Sequence, residues 1–79
     1  MGQGWRIGAI ERFELREQVL LRDGPWCHWC GRITSEARVR GTEDPNSMTL
    51  DHLLRRRDGG SDDICNLVIS CWGCNHGRN

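Results

Sequence analysis

Apolar residues in this chain fall into three short runs separated by polar, turn-rich stretches, and each run predicts one element. Residues Glu11 to Arg22 set Phe13, Val19, Leu20 and Leu21 among good helix formers, which predicts an α-helix whose periodicity is imperfect. Its end is sharper. Asp23-Gly24-Pro25 supplies a turn residue, a helix-terminating glycine and a proline that cannot continue the helix. Met1 to Gly4 reads as a flexible start, and Trp5 to Ile10 as a segment that begins to order. The stretch from Gly31 to Ser47 has mixed charges and a strong turn signal at Asp44-Pro45-Asn46-Ser47, so a surface path is expected. Met48 to Leu54 predicts a first strand. Arg55 to Asp63 predicts a loop built on Asp58-Gly59-Gly60-Ser61, Leu67 to Ser70 a second strand, and the region near Cys74 the start of a short helix. No repeat or low-complexity tract interrupts this order. The chain is therefore expected to form one domain over residues 11–79, preceded by a flexible or partly ordered segment, 1–10.

Composition makes a staple necessary. At 79 residues and 37% apolar content, with aromatic area carried mostly by Trp5, Trp26, Trp29 and Trp72, burial barely offsets ordering entropy. A structural zinc ion contributes roughly 10 kcal/mol of apparent binding free energy to the folded state. Formal net charge is zero, so no global field draws in a polyanion. Every basic side chain is arginine. Acidic residues gather at Glu11, Glu14 and Glu17 and at Asp62-Asp63, while Arg55, Arg56 and Arg57 form the one dense basic run. That run suits phosphate contact equally with a solvated loop.

Four of the five cysteines pair as Cys27-x-x-Cys30 and Cys71-x-x-Cys74. Neither a signal-peptide h-region nor a long apolar run is visible, so a cytoplasmic protein with no membrane segment is expected, and metal binding gains over disulfides. A tetrahedral thiolate set favours zinc; rubredoxin-like iron is the rival. Cys65 is left over and reads as a small, partly buried apolar residue. Between the two knuckles lie Asp51-His52 and Asn66, and Asn75 follows the last cysteine. A histidine supplies a base, with an unperturbed pKa of about 6.5. A hard divalent cation wants oxygen ligands such as Asp51 and an asparagine. Singly, Asp51-His52 is an ordinary structural pair, Asn66 a turn residue and Asn75 a helix cap. Their joint order and spacing carry the signal.

Leu50-Asp51-His52-Leu53, Gly59-Gly60-Ser61-Asp62-Asp63, Asn66-Leu67 and Cys71-Trp72-Gly73-Cys74-Asn75, preceded by Arg22-Asp23-Gly24 and Cys27-x-x-Cys30-Gly31, resemble the zinc-knuckle branch of the HNH endonuclease family. The resemblance implies a small zinc-stabilised α+β fold, a treble-clef-like ββα-metal core preceded by an N-terminal helix. It implies a DNA endonuclease that hydrolyses phosphodiester bonds with a single catalytic cation, Mg²⁺ or Mn²⁺. His52 matches the general base, Asn66 the residue that holds the loop and so orients His52, and Asp51 and Asn75 the cation ligands, with His76 a competing ligand. Asn79 lies one turn further on. Arg55, Arg56, Arg57 and Arg78 are the candidates for phosphate contact. With zero net charge, targeting is expected from a homodimer, a partner protein or another domain. The alternative is a zinc-bound nucleic-acid or protein binding module that does not cleave.

Overall fold

The computed structural model describes residues 8–35 and 44–78, the side chains of Ala9 and Arg78 excepted. Helix α1 spans Ala9–Asp23, starting two residues before the sequence suggests. The Glu11 carboxylate reaches back to the Gly8 N–H at 3.5 Å, satisfying one of the unpaired donors at the helix start. At the other end Gly24 takes φ 83° and its N–H donates to the Leu20 carbonyl at 2.8 Å. A Cβ there would collide with the Trp26 ring, so glycine is required twice over.

A tight turn follows. Trp26 bridges to Ile33, the Cys27 N–H donates to Arg32 O (2.7 Å), and Gly31, at φ 78°, donates to Cys27 O (2.9 Å). Strand β1, Met48–His52, then pairs antiparallel with β2, Leu67–Cys71, in the register Met48↔Cys71, Leu50↔Ile69 and His52↔Leu67. Two 3₁₀ turns, Arg56–Asp58 and Ile64–Asn66, lie in the connection. Helix α2, Trp72–Arg78, leaves β2 directly. Its first amides are not orphaned: Trp72 N donates to Ser47 O (2.8 Å) and Gly73 N to Pro45 O (3.0 Å).

The core lies between α1 and one sheet face. Val19, Leu67 and Ile69 are fully buried, flanked by Leu15, Leu20, Met48, Leu50 and Ile64. Every residue of β2 is buried, because β2 is covered on both faces and along its outer edge. The register turns the carbonyls of Leu67 and Ile69 away from β1. Arg22 Nη2 donates to the first (2.7 Å) and the His28 N–H to the second (2.8 Å), so the edge presents no open ladder. Arg22 also holds Ile64 O (2.8 Å) and Asp23 (2.6 Å). Its hydrogen bond keeps the Asp23 carboxyl below the usual carboxylate range.

This is the small α+β arrangement expected, with several differences. Strand β1 ends at His52 and the chain bends at Leu53-Leu54, where a strand to Leu54 was expected. The loop after it is partly 3₁₀. Phe13 and Leu21, expected to supply apolar contacts, are 54% and 87% exposed. Val19 fixes which face of α1 meets the sheet, and Leu21 stands about 200° round the helix from it. Cys65 is exposed, contrary to its reading as a partly buried apolar residue. The 3₁₀ turn points Ile64 at the core instead. Most of the 1–10 segment lies outside the described residues, as do residues 36–43 of the expected surface stretch.

Candidate metal centre and active site

The two knuckles meet. The Sγ atoms of Cys27, Cys30, Cys71 and Cys74 all lie within 4.8 Å of one another, and Cys30 and Cys71 are 3.9 Å apart. A tetrahedron with Zn–S bonds of about 2.3 Å has edges of about 3.8 Å, so the spacing fits a zinc-sized ion. Backbone amides support the sulfurs: Cys30 N donates to Cys27 Sγ (3.5 Å) and Cys74 N to Cys71 Sγ (3.4 Å). Burial pushes the Cys27 thiol up, but N–H donors around its sulfur outweigh that and bring it to about 6. Cys74 moves the other way, to about 12, since its thiol hydrogen-bonds Cys71 and burial adds to the effect. Crowded thiols resist ionising together; a central cation is what makes four thiolates compatible.

The end of β1 carries the second group. Asp51 is 4% exposed. Its Oδ2 accepts the indole N–H of Trp29 at 3.0 Å, and its Oδ1 accepts the N–H of His52 at 2.8 Å. Trp29 belongs to the first knuckle, so the thiolate cluster and this carboxylate share one short segment. On α2, Asn75 donates from Nδ2 to Thr49 Oγ1 (3.0 Å) and to Leu50 O (3.5 Å). Thr49 in turn donates to Ser70 O (2.8 Å). Residues 49 and 51 share a strand face, which sets Asn75 beside the residue two before Asp51. Asn75 is thereby tied to β1 through its amide nitrogen.

His52 points elsewhere. Its Nε2 lies 2.7 Å from Asp62 Oδ1, and Arg56 Nε lies 3.6 Å from the same oxygen. Asn66 closes the loop that makes this meeting happen. Its Oδ1 accepts Leu54 N (2.9 Å) while its Nδ2 donates to Leu54 O (3.1 Å) and Ser61 O (2.7 Å). Its backbone oxygen accepts Leu53 N (2.9 Å). Gly60 packs on the Leu54 and Arg55 carbonyls where no Cβ could fit, with its N–H on Arg55 O (2.9 Å).

The other expected residues are dispersed. Arg55 pairs with Asp58 (2.9 Å), Arg57 is exposed, and the Arg78 side chain and Asn79 lie outside the described residues. His76 stacks on Trp72 at 4.0 Å between centroids and its Nδ1 meets Trp72 O at 3.0 Å, a contact within α2. Three contributors escaped the sequence reading: Trp29, Thr49 and Asp62. Asp62 sits inside the Gly-Gly-Ser-Asp text and Trp29 between the knuckle cysteines, but neither spacing announces its partner.

A protein-family profile described as HNH endonuclease matches residues 27–79, more than half of the chain. No curated protein and no solved structure matches it.

Proposed function

The chain belongs to the HNH endonuclease family, and on that premise we propose that it is a metal-dependent DNA endonuclease that hydrolyses phosphodiester bonds. Zinc on Cys27, Cys30, Cys71 and Cys74 is structural in this reading. Asp51 and Asn75 hold the catalytic Mg²⁺ or Mn²⁺, a donor set that suits a hard cation sharing its shell with substrate phosphate and water. Bound there, the cation supplies charge stabilisation at the scissile phosphate. His52 takes the proton of the attacking water. Asn66 acts at one remove, by holding the bend that begins at Leu53. Arg55, Arg57 and Arg78 contact backbone phosphates without reading sequence. Arg56 is engaged with Asp62.

The observation that carries this reading is the convergence on one strand. Asp51 and His52 end β1, and Asn75 of α2 is bonded to Thr49 and Leu50 of the same strand. The packing of Val19 of α1 with Leu67 and Ile69 of β2 supports reading the N-terminal helix and the sheet as one unit. DNA is the partner, with a second copy or a targeting protein supplying specificity. A non-cleaving, zinc-bound nucleic-acid or protein binding module is the second reading. It is favoured by the burial of Asp51 and the engagement of both its oxygens.

Plasmid nicking in Mg²⁺ or Mn²⁺ separates the two. The wild type should cut, and His52→Ala should lose a factor of about 10²–10⁴, the usual contribution of a general base. Equal cutting by His52→Ala removes the base assignment. No metal-dependent cutting by the wild type leaves the binding module.

A further inference from the structure

We propose that Asp62 is a positioning residue for His52, holding the proton of the neutral imidazole on Nε2 so that Nδ1 is the basic atom. The inference rests on His52 being the general base.

The contact is short and sheltered: 2.7 Å, with the two side chains 18% and 27% exposed. An ionised carboxylate can only accept. Opposite Asp62 Oδ1, the neutral ring therefore carries its hydrogen on Nε2 and its lone pair on Nδ1. The loop makes the pairing specific. Asn66 pins Ser61 O and both backbone groups of Leu54, so the chain on either side of the His52–Asp62 contact is held by one amide. Asp63 N donates to Ser61 Oγ (3.3 Å) and Ser61 Oγ to Asp63 Oδ2 (3.2 Å), which ties the residues flanking Asp62 to each other. Arg56 lies beside the same contact, its Nε 3.6 Å from the oxygen that faces His52. Arg56 thus moves from the phosphate contacts expected of the basic run to a place beside the Asp62 carboxylate.

The chemistry balances with the groups named. Water gives its proton to Nδ1, its oxygen forms a bond to phosphorus, and the phosphorus bond to the leaving oxygen breaks. Solvent then protonates the leaving oxygen. The proton taken at Nδ1 leaves His52 an imidazolium whose Nε2 hydrogen bonds Asp62. A base held by a hydrogen-bonded orienting group is the arrangement expected of an activated proton acceptor.

The test uses the full chain loaded with zinc. Its readouts are ¹⁵N shifts of the histidine ring, which report the tautomer without reference to activity, and plasmid nicking kinetics. In the wild type, neutral His52 should show the Nε2-protonated pattern. Asp62→Asn is nearly isosteric and can turn an N–H toward Nε2, so the Nδ1-protonated pattern should gain. Asp62→Ala should lower kcat by about 10²-fold with KM within about twofold. Asp62→Glu should recover part of that loss. An Nδ1-protonated wild type overturns the proposal. So does an Asp62→Ala variant with unchanged kcat while His52→Ala is dead; the base assignment then survives and the positioning role does not. If His52→Ala cuts like the wild type, the base assignment fails instead, and the ring shifts alone decide whether Asp62 sets the tautomer.

Discussion

Replacing Asn66 by alanine probes the part of the molecule on which the site geometry depends. The substitution deletes three hydrogen bonds, to Leu54 N, Leu54 O and Ser61 O. They lie on the exposed side of the loop, so water can replace them in part. At about 0.5–1 kcal/mol net for each, the loss is about 2 kcal/mol. In a domain of this size 1 kcal/mol moves the melting midpoint by about 4–8 °C, so the zinc-loaded variant should melt about 8–16 °C lower. Asn66→Asp sharpens the test. It keeps the acceptor for Leu54 N, but it loses both donors and places a carboxylate against two carbonyl oxygens. It should therefore be no more stable than the alanine variant, although it is the closer isostere. Thermal unfolding followed by circular dichroism reads both, and hydrogen exchange at the Leu54 amide reads the local effect. An alanine variant within about 2 °C of the wild type, or a neutral Asn66→Asp, would refute the clamp.

Two further outcomes are expected. Cys71→Ser removes a ligand from the end of β2, so the far-ultraviolet spectrum should lose its folded signature at 25 °C, as should the wild type after zinc chelation; a folded spectrum in either case refutes the stapling argument. Trp29→Phe deletes the indole N–H that orients Asp51 while keeping the ring's apolar body, so Mn²⁺ affinity measured by calorimetry should fall about tenfold, the scale of a lost outer-shell contact. Unchanged Mn²⁺ affinity with the fold intact would show that the Trp29 contact does not tune the cation site.

The fold was legible where a residue type admits few conformations. Gly24 and Pro25 mark the end of α1, and the paired cysteine spacing anticipates the thiolate cluster. The strand pair emerged from two short apolar runs around a glycine-rich loop. Legibility failed where a side chain's fate depends on rotation. Phe13 and Leu21 look as apolar as Val19, yet the docking of Val19 and Leu15 on β2 turns them outward. Cys65 and Ile64 are adjacent, and only the 3₁₀ turn decides which one meets the core. The candidate site divides in the same way. Asp51, His52, Asn66 and Asn75 are visible as text because their order along the chain is the signal. Trp29, Thr49 and Asp62 are not, because a hydrogen bond between residues 22, 26 or 10 positions apart leaves no local pattern.

Local chemistry in the sequence therefore determined the four thiols that can hold a soft metal ion and the end of α1 at Gly24-Pro25. Tertiary structure decided what those atoms face. The bend after β1 and the amide clamp of Asn66 bring a carboxylate to one nitrogen of His52. The first knuckle carries an indole to Asp51. The physical reason lies in range: backbone preferences are set by neighbours along the chain, whereas hydrogen-bond partners are set by how closed loops and packed faces bring distant segments together.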